Sequence, residues 1–488
     1  MLEESIFSFY ITDDSNYISA LPVKKTFGKY NIFIDKRTPY DAVAEGNRTF
    51  AVLGIATNVL TGDCNNIAKK ALANCSNVND VVNYEKQLGG KYILLCKLND
   101  SYYILGDATC SIPLYYNVDS NFHCSSNYIL IKDFKKYSVD EEYSKIRNCG
   151  DLSQAMPYDI TPCREIKQLL PNHYLKVQNA KAVRYVNATA EQPILSIDKA
   201  VELISPMIRN LTVYYSDLYK IYCPITAGRD SRVVLSSLLD VNTDCFCYTI
   251  KHGEHSDADQ DIVIPSDMCS KLNVPYELIH DVVVTDELIG KAEDMFGKKN
   301  YSTRTLRIAQ TIKEHYADGA IINGDIVGQV GKCSLHRDIP RVFATPSYFR
   351  CKLHNYSSDA RKQLKLWLNE IKNSGEKVNT FDLFSVENRM GRWAGQENLI
   401  YNSLGVVYLN IFNSRSIIYA LTAVKRNERK LSLVHKELIN QWYPALNDFP
   451  YKNTQSKLIR ISKANGMNYL LSSYVKYYMD KKKFFKDN

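Results

Sequence analysis

Short apolar runs alternate with turn residues through the first 190 residues of the chain. The runs have the length and the β-branched and aromatic content of strands, and Gly, Asn and Asp lie between them. Four of the clearest are Tyr30–Ile34, Thr49–Leu53, Lys91–Leu98 and Tyr102–Leu105. The pattern therefore predicts a mostly β domain over residues 1–190.

A different pattern begins after the polar stretch Asn187–Gln192. Ser196 is a plausible N-cap for the amphipathic segment that follows, and beyond that segment apolar runs alternate with helical ones. The apolar runs are Ile221–Ile225 and Cys245–Ile250, and the helical segments lie after Asp230 and around Asp261–Leu272. Alternating strands and helices predict a parallel sheet with helices on both faces. We place this second domain at residues 191–488, with a predominantly helical part after about residue 355.

The segment Ile221–Asp240, IYCPITAGRDSRVVLSSLLD, joins a predicted strand to a predicted helix through a polar turn that contains glycine. Small residues at such a turn let a phosphate group approach the N–H groups of a helix N-terminus, where the helix dipole favours anions. Ligands of parallel sheets bind beyond the carboxyl ends of the strands, which is where Thr226–Ser231 falls. Two interpretations follow, a pyrophosphate site or an ordinary helix cap without a ligand.

Composition and charge argue against several classes of protein. With 488 residues, 45% of them hydrophobic and 23% charged, the chain is long enough for two or three globular domains. No segment approaches ~18 uninterrupted apolar residues, and the first residues lack a signal-peptide pattern, so we expect a cytoplasmic protein without a membrane span. The 13 cysteines do not have zinc-site spacing, which favours reduced thiols. The net charge of +8 is spread along the chain, so we expect no nucleic-acid partner.

Four segments, in order along the chain, resemble motifs of the asparagine synthetase-like family. Gly89–Tyr92, Leu105–Tyr116 and Ile166–Leu175 resemble parts of its glutaminase domain, and Thr226–Ser231 resembles the SGGxDS signature of its ATP-pyrophosphatase domain. The resemblance covers nearly the whole chain. It implies an α/β protein in which an N-terminal Ntn-type glutaminase-like β-sandwich precedes a Rossmann-like parallel-sheet ATP-pyrophosphatase domain with a helical C-terminal part.

The residues that would hydrolyse glutamine are missing. Members of the family with this activity carry a cysteine directly after the initiator Met, because its free α-amino group lies beside the attacking thiol. Position 2 is Leu2, the first cysteine is Cys64, and the family's NGE triplet is absent from Leu53–Asn58. We therefore expect a degenerate first domain that does not hydrolyse glutamine.

The reaction that the resemblance implies begins with Mg-ATP. A carboxylate is adenylated with release of pyrophosphate, and an amine then attacks the acyl-adenylate to give an amide and AMP. By the resemblance Asp230 holds Mg2+, and Ile225 and Ile250 frame the adenine, although core packing explains these two isoleucines equally well. The residues that the resemblance assigns to ATP and pyrophosphate are Ile225, Thr226, Ala227, Gly228, Arg229, Asp230, Ser231, Ile250 and Gly324.

The family's second motif, SGEGADE, corresponds to Asn323–Gln329. Asp325 corresponds to the first acidic residue of the motif, which in the family is the general base for the amine or lies beside it. The alternative is that Asp325 is only a turn residue next to glycine. Gly328 replaces the later Asp that helps to hold magnesium. The nearby Val327–Ser334, VGQVGKCS, imitates a phosphate-binding loop without its first glycine at the proper spacing, and we set it aside.

Two further sets of basic residues are candidates. Lys452 matches the position of a family lysine that contacts phosphates and stabilises the intermediate, so it is the second catalytic candidate beside Asp325. Arg304 and Arg307 could orient a carboxylate or phosphate, or form a solvated helix face.

The sequence thus predicts a glutamine-independent, ATP-dependent amide ligase that uses ATP and Mg2+. Its partners would be a small-molecule or peptide carboxylate and an amine, and it could form a homo-oligomer. A lasso-peptide-type macrocyclase and a noncatalytic nucleotide-binding scaffold are the alternatives. The altered second motif favours the scaffold.

Overall fold

The computed structural model describes residues 4–119, 121–140, 156–185, 194–253, 256–298, 301–333, 339–353, 355, 358–374, 379–452 and 466–487. Among these residues, the first half of the chain contains twelve strands. They are β1 (Phe9–Thr12), β2 (Val23–Phe27), β3 (Tyr30–Ile34), β4 (Tyr40–Glu45), β5 (Arg48–Asn58), β6 (Leu88–Leu98), β7 (Ser101–Gly106), β8 (Tyr115–Asn117), β9 (His123–Ser125), β10 (Ile166–Gln168), β11 (His173–Lys176) and β12 (Lys181–Arg184).

These strands form two antiparallel sheets of six strands each, in the orders β10-β8-β9-β1-β3-β2 and β12-β11-β7-β6-β5-β4. The sheets share one hydrophobic core, to which Ile11 and Ile34 contribute from the first sheet and Leu53 and Ile93 from the second. Successive side chains of a strand point to opposite faces, so a strand covered on both faces is apolar at nearly every position, as β5 is. The predicted mostly β first half is confirmed.

The strands of the second half are β13 (Lys220–Pro224), β14 (Cys245–Lys251), β15 (Tyr276–His280), β16 (Gly319–Asn323) and β17 (Val407–Asn410). The α-helices within the described residues are α1 (Ile67–Asn74), α2 (Val78–Glu85), α3 (Tyr128–Lys135), α4 (Ile197–Leu218), α5 (Arg229–Asp240), α6 (Gln260–Lys271), α7 (Asp286–Phe296), α8 (Thr303–Tyr316), α9 (Pro346–Lys352), α10 (Ser358–Asn373), α11 (Thr380–Phe384), α12 (Gly395–Ser403), α13 (Arg415–Ala423), α14 (Arg426–Lys430), α15 (Leu433–Trp442) and α16 (Gly466–Asp487). Two π-helical segments, Val327–Gly331 and Ser385–Ala394, lie among them.

The five strands of the second half form a parallel sheet in the order β15-β14-β13-β16-β17. From β13 the chain moves outward through β14 and β15 and then returns to the other side of β13 as β16. The point between β13 and β16 is therefore a topological switch point, where the carboxyl ends of the strands leave a crevice. Ile221 packs in the core beneath α4 and α5, and Tyr222 packs with α8 and α12 on the opposite face. The predicted parallel sheet with helices on both faces is confirmed.

The predicted N-cap of α4 is also present, because the hydroxyl of Ser196 accepts a hydrogen bond from the N–H of Lys199. The domain boundary predicted at residue 190 falls within residues 186–193, outside the described residues. No helix within the described ranges combines the length and the apolar content that crossing a membrane requires.

The two halves are joined by buried polar contacts. Nε of Arg415 donates to Oε2 of Glu85 at 2.6 Å, and Nδ2 of Asn413 donates to Oδ1 of Asp107 at 2.9 Å and to the carbonyl of Gly90 at 2.7 Å. Arg415, Glu85 and Asp107 are nearly or fully inaccessible to solvent. Since a buried charge is tolerated only when it is paired and hydrogen-bonded, these contacts fix the relative position of the halves.

Candidate functional site

The predicted pyrophosphate turn lies where β13 ends and α5 begins. Gly228 is the N-cap residue and provides no side chain to cap the helix, so the first N–H groups of α5 have no side-chain cap. The N–H of Thr226 donates to Oγ of Ser231 at 3.1 Å, and the N–H of Gly228 donates to Oγ1 of Thr226 at 3.1 Å. The two hydroxyls thereby hold the turn open over a helix N-terminus.

The two isoleucines assigned to adenine differ in their placement. Ile225 is completely buried, its N–H donates to the carbonyl of Tyr248 at 2.9 Å, and its carbonyl accepts from Thr249. Ile250 lies at the carboxyl end of β14 and is half-buried. Ile225 is therefore a core residue of the sheet, whereas Ile250 is partly accessible at the end of its strand.

Lys452 lies at the turn although more than two hundred residues separate it from Ala227. Its backbone N–H is 3.3 Å from the carbonyl of Ala227, and its Nζ donates to Asp261 at 2.7 Å and to Asp259 at 3.1 Å. Asp261 also accepts a hydrogen bond from the N–H of Ala227 at 3.0 Å. Hydrogen bonding to Asp261 raises the pKa of Lys452, so this ammonium stays charged beside the turn.

Arg232 positions the segment that carries Lys452, and sequence reasoning did not identify it as a site residue. Its guanidinium is fully buried and donates to the carbonyls of Leu446 at 3.1 Å and Phe449 at 2.9 Å. The guanidinium groups of Arg232 and Arg229 also stack on the ring of Tyr451, 4.1 Å and 4.2 Å from its centroid. The C-terminal segment is thus attached to the first turns of α5.

Asp230 in the first turn of α5 has two basic neighbours. Its Oδ1 lies 2.6 Å from Nζ of Lys332 and 3.1 Å from Nε2 of the fully buried His435. Burial raises the pKa of Asp230, but contacts with His435 and Lys332 outweigh burial and leave the pKa below its ordinary value. Burial lowers the pKa of His435, although its contact with Asp230 opposes this effect. Lys332 belongs to the VGQVGKCS segment that the sequence analysis set aside.

Two glycines bring the end of β16 against α5. A Cβ atom on Gly324 would lie 2.8 Å from the backbone carbonyl oxygen of Asp230, and one on Gly328 would lie 2.8 Å from its Oδ2. Both distances are too short for a real side chain without a shift of the neighbouring atoms. Gly324 therefore acts through close approach of the backbone, which is consistent with its assignment to the site.

The donor set at Asp230 does not fit a magnesium ion held by the protein. Mg2+ requires near-ideal octahedral oxygen coordination and is commonly held by one or two carboxylates together with substrate phosphates. The carboxylate of Asp230 is paired with the ammonium of Lys332, and position 328 is a glycine without an oxygen ligand. Within the part of the chain that the structure describes, no three His, Cys, Asp or Glu side chains are grouped to hold a metal ion.

Asp325 follows β16, and its carboxyl group contacts β17. Its Oδ2 accepts a hydrogen bond from the hydroxyl of Tyr408 at 3.1 Å, and its N–H donates to Asn323, so Asp325 is also part of a turn. Burial raises the pKa of this carboxyl group. Asp325, Asn323 and Tyr408 border a cavity of about 30 Å³ that Lys91 of the first half also lines.

A second carboxyl group, that of Glu397, interacts electrostatically with Asp325, and sequence reasoning missed it. Burial, with a further contribution from Asp325, raises the pKa of Glu397 to about 8, and Oε1 of Glu397 accepts a hydrogen bond from Thr305 at 3.2 Å. Burial also lowers the pKa of the neighbouring Arg389 to about 10. A carboxyl group that titrates near neutral pH can accept or donate a proton during a reaction.

The two arginines of α8 do not form a paired clamp. Nε of Arg307 lies 3.0 Å from Oδ2 of Asp281, so Arg307 is engaged in an ion pair, whereas Arg304 is exposed. The positive charge of Arg304 lowers the pKa of Glu397, but less than burial raises it.

No protein-family model matches this chain, and no curated protein matches it. The solved structures that it resembles include an NMN synthetase from Francisella tularensis, with 11% identity, 54% of this chain and 99% of that chain covered, and a TM-score of 0.20. They also include the U34-tRNA thiolase NcsA from Methanococcus maripaludis, at 11% identity, 62% and 88% coverage and a TM-score of 0.23. A third is the glutamine phosphoribosylpyrophosphate amidotransferase from B. subtilis, at 10% identity, 69% and 72% coverage and a TM-score of 0.24. TM-scores this low carry no argument about activity.

Proposed function

We propose that this chain is a glutamine-independent, ATP-dependent ligase that adenylates a carboxylate and transfers the acyl group to an amine. One observation carries the proposal. At a single topological switch point, the uncapped helix N-terminus of Thr226–Ser231 lies beside the ammonium of Lys452, and the neighbouring strand, β16, ends near the partly buried carboxyl groups of Asp325 and Glu397. Anion-binding and proton-accepting groups thus border one crevice.

The phosphate chain of ATP would bind at the turn. The N–H groups at the start of α5, the helix dipole and the cations of Lys452 and Arg229 all favour a polyanion there. The half-buried Ile250 offers an apolar contact for the adenine at the neighbouring strand end.

Adenylation would proceed by attack of a carboxylate oxygen on the α-phosphorus of ATP, with cleavage of its bond to the bridging oxygen of pyrophosphate. Positive charge fixed at the turn would stabilise the departing pyrophosphate. The amine nitrogen would then attack the acyl carbon, and the bond to the AMP oxygen would break. Asp325 would accept the proton that the nitrogen loses, and Glu397 would exchange it with solvent.

The first half would then be a degenerate Ntn-type glutaminase-like domain that supports the synthetase half instead of supplying ammonia. Two observations favour this role. Leu53–Asn58 is part of β5 and pairs along its length with β6. The N–H of Gly90 donates to the carbonyl of Asn413 in the second half, and the carbonyl of Gly90 accepts from Nδ2 of Asn413. Residue 2, which carried the sequence argument, lies outside the described residues.

A noncatalytic nucleotide-binding scaffold is the second candidate, because Asp230 is paired with Lys332 and position 328 has no carboxylate. ATP–pyrophosphate exchange separates the two. The full-length protein is incubated with ATP, labelled pyrophosphate and separate pools of amino acids, small carboxylic acids and peptides. A ligase incorporates label into ATP with one of these pools, whereas a scaffold binds ATP in calorimetry without exchange in any pool.

The two steps can be separated with one variant. Asp325→Asn should retain exchange and lose formation of the amide by about 100-fold or more, because it removes the proton acceptor without touching the phosphate turn. Loss of exchange in this variant would contradict the assignment of Asp325 to the amine step. Absence of ATP binding by the wild type would overturn the proposed function.

A further inference from the structure

We propose that the ammonium of Lys332 is the resident cation of the nucleotide phosphate site and takes the place of a metal ion bound by the protein. The inference rests on the proposed function, since it concerns the site at which ATP would bind. It assigns to one side chain the charge that would otherwise come from a carboxylate-bound divalent ion.

The geometry around Asp230 supports the assignment. Nζ of Lys332 lies 2.6 Å from Oδ1 of Asp230. Gly328 lies near the other oxygen, because a Cβ atom added to Gly328 would be 2.8 Å from Oδ2. The carboxylate oxygen Oδ1 therefore already has an ammonium neighbour in the protein. A metal ion at Oδ1 would have to displace an ammonium group that already neutralises the carboxylate.

Lys332 is held in place by the turn that it ends. Its N–H donates to the carbonyl of Val327 at 3.2 Å, closing the π-helical segment Val327–Gly331. The carbonyl of Val330 in that segment accepts from Nη2 of the fully buried Arg429 at 2.6 Å, and Arg429 is paired with Asp382. The base of the Lys332 side chain is thus attached to a buried ion pair and not to a surface loop.

Close packing on the other side fixes the direction of this turn. A Cβ atom on Gly331 would lie 3.0 Å from Val327 and 3.3 Å from Cε1 of His435, so a larger residue would require these side chains to shift slightly. His435 itself lies 3.1 Å from Oδ1 of Asp230. The imidazole can orient the carboxylate, and the ammonium of Lys332 neutralises it.

A lysine suits this role because its ammonium is a compact point charge with three donors on a flexible stem. It can remain on Asp230 in the free protein and turn toward phosphate oxygens when a nucleotide binds. A metal ion bound by the protein needs free oxygen ligands on the protein, whereas the ammonium of Lys332 is covalently part of the chain and needs no such ligands. Binding of the nucleotide should therefore depend little on Mg2+.

The test measures the affinity of the full-length protein for ATP by calorimetry, once with excess Mg2+ and once with EDTA. We expect the wild-type affinities in the two conditions to agree within about threefold. Lys332→Met should weaken binding in EDTA by about tenfold or more, and Lys332→Arg should restore most of it because the charge is retained. Lys436→Met is the matched control, since it removes an exposed lysine from α15 beside His435 and should change neither affinity.

The outcomes distinguish this inference from the proposed function. Wild-type binding that requires Mg2+, or a Lys332→Met variant that binds ATP in EDTA as tightly as the wild type, would overturn the role of Lys332 and leave the nucleotide site intact. No binding of ATP in either condition would overturn the proposed function and the inference together. The wild-type comparison decides the question even if Lys332→Met does not fold.

Discussion

Arg415 and Glu85 are 330 positions apart in the chain, yet Nε of the arginine donates to a carboxylate oxygen of the glutamate at 2.6 Å in the interior between the two halves. Nη1 of Arg415 also donates to Asn172 at 2.6 Å, and its guanidinium stacks on Tyr185. The pair therefore connects the second half to two separate segments of the first half.

Replacing Arg415 should strongly destabilise the protein. Arg415→Met leaves the buried carboxylate of Glu85 without its counter-charge and with only the hydroxyl of Tyr92 as a partner, so we expect the free energy of unfolding to fall by about 3 to 5 kcal/mol. The exposed pair of Arg209 with Asp240 provides the control, and Arg209→Met should cost less than about 1 kcal/mol. Urea denaturation of both variants measures the difference, and equal losses would show that the buried pair is not the main connection between the halves.

Glycine at position 324 should be required for the nucleotide site. In Gly324→Ala the new Cβ would be 2.8 Å from the carbonyl oxygen of Asp230, so β16 and α5 must separate. We expect a stability loss of about 1 to 3 kcal/mol and weaker ATP binding. A Cβ on Gly290 would meet nothing within 4 Å, so Gly290→Ala should leave both stability and binding unchanged or slightly improved. Thermal unfolding with and without ATP tests both variants, and a tolerant Gly324→Ala would refute the close approach.

Lys452 should contribute to nucleotide affinity more than to folding. Its side chain is half-buried, and its partners Asp259 and Asp261 are accessible to water, so Lys452→Met should cost less than about 1 kcal/mol of stability. It should weaken ATP binding by about tenfold, because it removes a cation beside the turn. Lys199→Met, which removes an exposed lysine on α4, is the control in the same calorimetric titration. Unchanged affinity in Lys452→Met would remove this residue from the site.

Glu397 should make the stability of the protein fall as the pH rises. Its pKa in the folded protein is about 8, above the ordinary 4.5, so between these values the folded state binds more protons than the unfolded state. The contribution of Glu397 to stability is therefore fully present below about pH 4.5 and is lost as the pH rises through about 8. Glu397→Gln removes this contribution.

The measurement is the difference in unfolding free energy between wild type and Glu397→Gln at several pH values from 5 to 9. The wild type should lose stability relative to the variant across this range. A difference that does not change with pH would show that Glu397 titrates as an ordinary exposed carboxyl group.

The sequence by itself determined the elements and the place of the turn. The periodicity of Tyr30–Ile34 and Lys91–Leu98, the N-cap at Ser196 and the strand–turn–helix unit around Thr226–Ser231 are local features, and local patterns of burial and capping are written in consecutive residues. The alternation of strands and helices then indicated a parallel sheet, and with it the edge on which a ligand would bind.

Only the tertiary structure decided what surrounds that turn. Lys332, His435 and Lys452 reach Asp230 and Ala227 because β16 lies next to β13 and the chain after α15 returns to α5, and no periodicity within a single segment encodes that order. The raised pKa of Glu397 likewise arises from burial among residues distant in the chain. Sequence patterns report whether a residue is buried, whereas the packing of elements decides which charged side chains become neighbours and thereby what the site can bind.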